Sequence, residues 1–88
     1  MMLAIFSIYD RKAEVYFPPQ CYHNEETAKR SLRMEFEKNP LTPMVMFPDD
    51  YDLYCVGAWD DATAEIRVVG PPSRRCCGVR ELVTSAVE

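Results

Sequence analysis

Five aspartates lie between residues 49 and 61, and carboxylates of this kind serve metal-assisted and acid–base catalysis. Asp49, Asp50 and Asp52 lie at the start of an alternating apolar segment, and Asp60 and Asp61 follow it. Hydrolysis or phosphoryl transfer with two metal ions needs carboxylates that converge on one point. A strand of about eight residues separates the two groups by roughly 26 Å. The pattern therefore predicts a hairpin with acidic ends, and neither a metal nor a cofactor.

Four cysteines and a single histidine are the other reactive side chains. Cys21 and His23 can face each other in an extended segment, but no third group that would orient a nucleophile and base accompanies them. A zinc site could gather Cys21, His23, Cys76 and Cys77, although these spacings differ from the C-x2-C pairs of common sites. The sequence also lacks a P-loop and a G-x-G-x-x-G motif. We expect reduced thiols and a protein that is not an enzyme.

Basic and aromatic residues indicate a different chemistry, the binding of single-stranded nucleic acid. Such a site needs a positive groove lined by aromatic side chains on which bases stack. The candidate contacts are the basic residues of the first turn, the predicted helix and the C-terminal segment: Arg11, Lys12, Lys29, Arg30, Arg33, Arg74 and Arg75. The aromatic candidates are Tyr9, Tyr16, Phe17, Tyr22, Tyr51, Tyr54 and Trp59. Half-buried core positions are the alternative for these tyrosines, and solvated surface is the alternative for the charges.

The overall charge opposes a general nucleic-acid binder. The formal net charge is −4 over 88 residues, and the pI is about 4.9. Proteins that bind nucleic acid through phosphate contacts usually carry an excess of Lys and Arg, because these side chains displace counterions. A local basic face remains compatible with this composition. No apolar run of 18 residues occurs, and the N-terminal residues predict a strand instead of a signal peptide.

The elements that would position these residues follow the order β-β-α-loop-β-β. Apolar residues at 3–9 predict a central strand, and a short strand over 13–17 ends at two prolines. Asn24 is a suitable N-cap for a helix that ends at Asn39, before a proline. Residues 53–59 and the partner strand at 65–69 form the second hairpin.

A single small domain is the predicted organisation. Its fold class is α+β, with a mainly antiparallel four-stranded sheet and one helix packed on a face. We expect residues 1–72 to form the compact domain, and residues 73–88 to form a tail with a short helix or an added strand. The core should join a helix stripe to one strand face, and its expected members are Ala28, Leu32, Phe36, Leu53, Cys55 and Trp59.

Two segments of the chain resemble a known viral family. They are IYDRKAEVYFPP at residues 8–19 and PDDYDLYCVGAWDDATA at residues 48–64, with Ala28-Lys29-Arg30 on the helix between them. Together they are similar to the small nonstructural protein of gokushovirus-type microviruses, which are phages with single-stranded DNA genomes. The likeness extends over about residues 3–72. That family often has glycine where this chain has Ala64, so its second hairpin is expected to differ by about one residue.

The resemblance implies a non-enzymatic phage accessory protein in the host cytoplasm. Such a protein would contact single-stranded DNA or the apparatus that replicates or packages the genome. The resemblance brings no catalytic residues with it. The alternative is a protein-interaction module that binds a phage or host protein and associates with itself through sheet edges, as a homodimer.

Overall fold

An antiparallel sheet is the framework of the molecule. The computed structural model describes residues 1–70 and 73–87, with side chains through residue 83. Within these residues the sheet has six strands: β1 (Met2–Asp10), β2 (Val15–Tyr16), β3 (Gln20–Tyr22), β4 (Tyr51–Asp60), β5 (Glu65–Val68) and β6 (Arg74–Gly78). Strands β1 and β4 pair at the centre. On the side of β1 away from β4, both β2 and β3 pair with β1. On the side of β4 away from β1, both β5 and β6 pair with β4.

This arrangement confirms the α+β class and the antiparallel sheet predicted from the sequence. More strands are present than the four expected, because each outer position is divided between two short strands. Beside β1 the division falls at Pro18 and Pro19, which cannot donate a backbone hydrogen bond to a neighbouring strand. The Ser7 hydroxyl donates to the carbonyl oxygen of Phe17 at 2.6 Å, close to the division.

Three helices accompany the sheet in the described residues: α1 (Glu25–Lys38), α2 (Pro43–Met46) and α3 (Val79–Val87). The predicted N-cap of α1 is confirmed, since Asn24 Oδ1 accepts a hydrogen bond from the Thr27 amide at 2.8 Å. Helix α1 ends at Asn39, before Pro40. A 3-10 turn at Pro48–Asp50 leads into β4. No described helix is long and apolar enough to cross a membrane.

The hydrophobic core lies between one face of the sheet and the helices α1 and α3. Phe6, Ile8 and Leu53 enter it from β1 and β4. From the predicted helix stripe, Ala28 and Phe36 are buried, and Leu32 is half-buried against the same cluster. The remaining buried members are Tyr51, Cys55, Cys77, Val79 and Leu82.

The C-terminal segment contributes to this core. The sequence predicted that this segment begins at residue 73. Residues 71–72, just before it, and residue 88, at its end, lie outside the described residues. The sequence allowed either a helix or an added strand here, and the described part contains both, β6 followed by α3. Val79 and Leu82 of α3 have no exposed surface. Burial of an aliphatic side chain of this size contributes about 1.5–3 kcal/mol.

A β-bulge in β4 overturns one predicted packing contact. Ile5 pairs with Gly57 while Phe6 pairs with Cys55, so Val56 is an additional residue in β4. The extra residue reverses the alternation of side chains beyond it. The expectation that Trp59 packs on the helix with Leu53 and Cys55 is therefore wrong. Trp59 instead lies opposite Leu3 of β1 and Ile66 of β5, on the other face of the sheet.

That other face, called the open face below, is covered by no described helix. Strand register assigns to it Leu3, Ile5, Ser7, Tyr9, Tyr16, Asp52, Tyr54, Gly57, Trp59, Ile66 and Val68. Two observations agree with this assignment. Ile5 is buried yet lies outside the core cluster, and a Cβ atom at Gly57 would lie 3.6 Å from Ile5 Cδ1.

Candidate nucleic-acid interface

The seven predicted basic residues do not gather in one patch. Arg11 and Arg75 converge on Asp52, whereas Lys29 and Arg74 converge on Glu25. Among the described residues, the other three basic candidates form no ion pair: Lys12, Arg30 and Arg33. The structure thus divides the candidates into two clusters and three separate cations.

The first cluster is centred on a buried carboxylate. The Asp52 side chain is 7% exposed, and its two oxygens contact Arg11 Nε at 3.3 Å and Arg75 Nη2 at 3.0 Å. Gly78, which pairs with Asp52, has no side chain to occupy this space. A Cβ atom there would lie 3.3 Å from Arg75 Nη2. The hydrogen bond to Asp52 raises the pKa of Arg75. One carboxylate therefore contacts two guanidinium groups.

Both guanidinium groups of this cluster remain accessible. The Arg11 and Arg75 side chains are 52% and 54% exposed. A guanidinium has five N–H donors, and the contacts with Asp52 use only part of them. The remaining donors can contact an anion from solvent. Lys12, the next residue in the same turn as Arg11, is exposed and adds a third cation at this end of the sheet.

Three tyrosines lie beside the first cluster on the open face. The ring centroids of Tyr9 and Tyr16 are 4.6 Å apart. Tyr54 meets both rings edge to face, at 6.0 Å from Tyr9 and 5.6 Å from Tyr16. Tyr9 pairs with Asp52, and Tyr54 pairs with Arg75, so register joins the rings to the arginines. We call the three tyrosines with Arg11, Asp52 and Arg75 the Tyr–Arg site.

The packing of these rings leaves one aromatic surface available. The Tyr16 residue is 50% exposed, whereas Tyr9 and Tyr54 are half-buried. Burial of the Tyr9 hydroxyl raises its pKa. The exposed surface of Tyr16 can stack against a nucleobase, while the arginine side chains of the site can contact its phosphate.

The second cluster lies on the side of the sheet that the helices cover. Glu25 Oε2 contacts Lys29 Nζ at 3.0 Å, and Glu25 Oε1 contacts Arg74 Nη1 at 3.0 Å. Arg74 pairs with Cys55, a core residue, which places Arg74 on this side. Hydrogen bonds from Lys29 first, and also from Arg74, lower the pKa of Glu25. These two cations neutralise a carboxylate at the start of α1 and lie away from the tyrosines.

The aspartates lie at opposite ends of β4, as the sequence predicted. At one end, Asp49 forms an ion pair with Arg80. At the other end, Asp60 Oδ1 accepts a hydrogen bond from the Ala62 amide, and Asp61 pairs with the amino group of Met1. The described residues contain no group of three or more His, Cys, Asp or Glu side chains arranged to hold a metal ion.

The cysteines are free thiols in different surroundings. Cys55 and Cys77 are buried, Cys76 is half-buried and Cys21 is exposed. Burial raises the pKa of Cys76 to about 11 and also raises the pKa of Cys77. Since the thiolate is the nucleophilic form, these two thiols are not activated near neutral pH.

A separate cavity of about 340 Å³ opens between α1, β1 and the segment around Pro18. Phe6, Phe36 and Leu53 contribute apolar walls, and Glu35 is its one ionisable carboxylate. None of the seven basic candidates lines it. The cavity is thus distinct from the Tyr–Arg site, and the described residues that line it include no cation for a phosphate.

Sequence reasoning identified Arg11 and Arg75 but not the set of groups around them. The predicted strands at 3–9 and 13–17 contain Tyr9 and Tyr16, and a four-residue turn makes these two residues partners. That signal was present in the sequence. The sequence held no comparable signal for the position of Arg75, because that position depends on the pairing of β6 with β4 and on a second irregularity between Leu53 and Tyr54.

These features define a small α+β protein with a helix-covered sheet face and an aromatic, arginine-containing open face. A family model described as Phage ORF5 protein matches residues 3–82 of the chain. The match covers nearly the whole sequence, so the chain belongs to the Phage ORF5 protein family and is a bacteriophage protein. Comparison with the curated proteins and with the solved structures gives no match.

Proposed function

We propose that this phage protein is a non-enzymatic accessory protein that contacts single-stranded DNA through the Tyr–Arg site. The resemblance to the nonstructural protein of gokushovirus-type microviruses supports a substrate of this kind. It also supports a place of action in the host cytoplasm, together with the proteins that replicate or package the genome. The observation that carries the proposal is the half-exposed ring of Tyr16, which packs on Tyr9 and Tyr54. These two tyrosines are the strand partners of Asp52 and Arg75.

The geometry favours a single strand over a duplex. An accessible tyrosine ring stacks on a base only when that base is unpaired and exposed. Stacking on an aromatic side chain contributes about 1–3 kcal/mol per base. The half-exposed Tyr16 provides that surface, and its ring packs at a tilt on Tyr9 and edge to face with Tyr54.

The charge of the molecule determines how strong the contact is. Among the described cations at this end of the sheet, Arg80 pairs with Asp49, which leaves Arg11, Lys12 and Arg75 for phosphate contacts, and the net charge is −4. Each phosphate neutralised on a single strand contributes about −0.7 to the slope of log K against log salt. Two or three contacts give a slope of roughly −1.4 to −2. We therefore expect weak binding that is strongest at low salt.

Substitutions at Tyr16 test the stacking directly. Fluorescence anisotropy with a labelled oligothymidine at low salt should show loss of affinity in Tyr16→Ala by about 5- to 150-fold, which corresponds to one stacked base. Tyr16→Phe keeps the ring and should bind like the parent. Absence of binding by the parent at low salt would contradict the proposal, as would equal affinities for the two variants.

Two consecutive arginines provide a matched test of the cations. Arg75 lies at the Tyr–Arg site, whereas Arg74 contacts Glu25 on the covered side. Arg75→Gln should weaken binding and reduce the salt slope by about 0.7, the contribution of one phosphate. Arg74→Gln should leave both unchanged, although it removes the same charge. Equal losses in both variants would show that only net charge matters and would overturn this assignment of the site.

A further inference from the structure

Strand β5 is an exposed edge of the sheet, at the end away from the Tyr–Arg site. All four of its residues are exposed, and they include two large aliphatic side chains, Ile66 at 64% and Val68 at 77%. One edge of β5 pairs with β4, and β5 is the last strand in its row of the sheet. An outer strand of this kind presents backbone donors and acceptors that another strand can pair with.

The charges of β5 identify the strand that would fit. Glu65 and Arg67 flank Ile66, and their side chains contact each other along the strand at 3.2 Å. Residues two apart lie on the same face of a strand. If a second β5 pairs in antiparallel fashion about a two-fold axis at Ile66, each Glu65 lies directly opposite Arg67 of the other copy. Ile66 then lies opposite Ile66, and the two ion pairs flank this apolar contact.

The neighbouring register is less favourable. A two-fold axis at Arg67 would place the two Arg67 guanidinium groups directly opposite each other, and like charges in directly opposed positions destabilise a strand pair. The charge sequence Glu-Ile-Arg-Val therefore selects both the partner, an identical strand, and the register.

We propose that two copies of this chain associate through β5 about an axis at Ile66, forming one continuous sheet. The contact contains one four-residue strand from each protomer. So short a contact buries much less surface than the roughly 1,200–2,000 Å² of a stable interface. The dimer is accordingly weak and depends on concentration. It does not rest on DNA binding, because the Tyr–Arg site lies at the opposite end of the β1–β4 pair.

Charge reversal at two positions tests the pairing. Sedimentation equilibrium across the micromolar-to-millimolar range should show the parent chain shifting from monomer to dimer mass. Glu65→Lys and Arg67→Glu should each remain monomeric, because each homodimer would oppose like charges twice. An equimolar mixture of the two variants should recover the dimer mass. In the mixed dimer, both cations of the first variant lie opposite the two carboxylates of the second, so both contacts are attractive.

The mixture separates intermolecular pairing from any effect within one chain, because neither variant regains its internal Glu–Arg pair on mixing. Arg80→Glu makes the same change in net charge as Arg67→Glu, at an exposed ion pair with Asp49, and it should dimerise like the parent. Circular dichroism confirms that each variant is folded. A parent chain that stays monomeric over the whole range overturns the proposal. So do single variants that dimerise like the parent, or a mixture that remains monomeric.

Discussion

The hairpins β1–β2 and β4–β5 have turns of the same backbone geometry, but the residues of the two turns, 11–14 and 61–64, have opposite net charge. In each, an aspartate ends the long strand and its Oδ1 accepts backbone hydrogen bonds inside the turn, at Asp10 and at Asp60. In each, the fourth turn residue donates its amide to that aspartate's carbonyl oxygen at 2.8 Å. These fourth residues, Glu14 and Ala64, have φ angles of 59° and 63°. An aspartate and a four-residue spacing thus produce one backbone geometry twice.

The side chains around the two turns differ. The β1–β2 turn contains Arg11 and Lys12 and is joined to the tyrosines, whereas the β4–β5 turn contains Asp61 and is joined to exposed aliphatic residues of β5. Antiparallel pairing of β1 with β4 places the turns at opposite ends of the sheet, because Asp10 pairs with Tyr51 and Met2 with Asp60. The comparison indicates that turn chemistry fixes the backbone, while neighbouring residues determine what each end can bind.

The largest expected difference is in stability. Strand β1 of the first hairpin enters the core, where Phe6 is 3% exposed, but the β5 residue Ile66 is 64% exposed. Phe6→Ala should lower the free energy of unfolding by about 3–5 kcal/mol, through lost contacts and a cavity. Ile66→Ala should change it by less than about 0.5 kcal/mol. Urea denaturation at low protein concentration measures both, and similar losses would show that β5 is also packed.

The Asp52 cluster should give the next largest effect. Asp52→Asn leaves Arg11 and Arg75 without their shared carboxylate and should lower the free energy of unfolding by about 1–3 kcal/mol. The range lies below that of a fully buried pair because both arginines are half exposed. Glu65→Gln removes the acid of an exposed pair in the other hairpin and should have a much smaller effect. Equal losses in urea denaturation would contradict the special role of Asp52.

The left-handed residues test whether the two turns are equivalent. Glycine adopts a positive φ without the steric penalty that a Cβ atom brings. Glu14→Gly and Ala64→Gly should therefore each raise the free energy of unfolding, by about 0.5–1 kcal/mol. Ala13→Gly and Ala62→Gly, at turn positions without a positive φ, should lower it because they only add freedom to the unfolded chain. Thermal or urea unfolding of the four variants measures these changes in the free energy of unfolding. Stabilisation by glycine at only one of the two turns would show that the turns differ.

The smallest expected effect concerns pH at the acidic turn. The amide of Ala62, which donates to Asp60, is the main cause that lowers the pKa of this carboxyl below its usual 3.8. Because the pKa is lower in the folded chain, the ionised Asp60 stabilises the fold at pH values above the ordinary pKa of the unfolded chain. That stabilisation is lost as the pH falls through the lowered pKa of the folded chain. The free energy of unfolding should thus decrease in acid, and Asp60→Asn should show a shallower decrease. A decrease of the same size in Asp60→Asn would show that the acid sensitivity arises elsewhere.

Local signals in the sequence predicted much of the fold. Asn24 and Pro40 set the ends of α1, and the apolar residues at 3–9 and the alternating residues at 53–59 gave the central strands. The bulge at Val56 could not be predicted, because one inserted residue leaves the apolar pattern of β4 intact while moving Trp59 to the other face. The burial of Val79 and Leu82 was also missed, since a short amphipathic segment does not reveal which surface it packs on.

The Tyr–Arg site was predictable only in part. Arg11 and Lys12 stand out as cations in a turn, and Tyr9 and Tyr16 as hairpin partners. Asp52, however, resembled the other aspartates near it, and only its burial between two arginines distinguishes it. Residues from β1, β2, β4 and β6 meet at this site, and single-sequence patterns do not give the register between such distant segments.

An NMR titration of the isotope-labelled protein with a short single-stranded oligonucleotide at low salt tests the central claim most directly. The largest amide shifts should fall on residues 9–16, on residues 52–54 and on Arg75, with little change at residues 61–68. Shifts concentrated at the acidic turn or on α1, or no shifts at all, would contradict the assignment of DNA contact to the Tyr–Arg site.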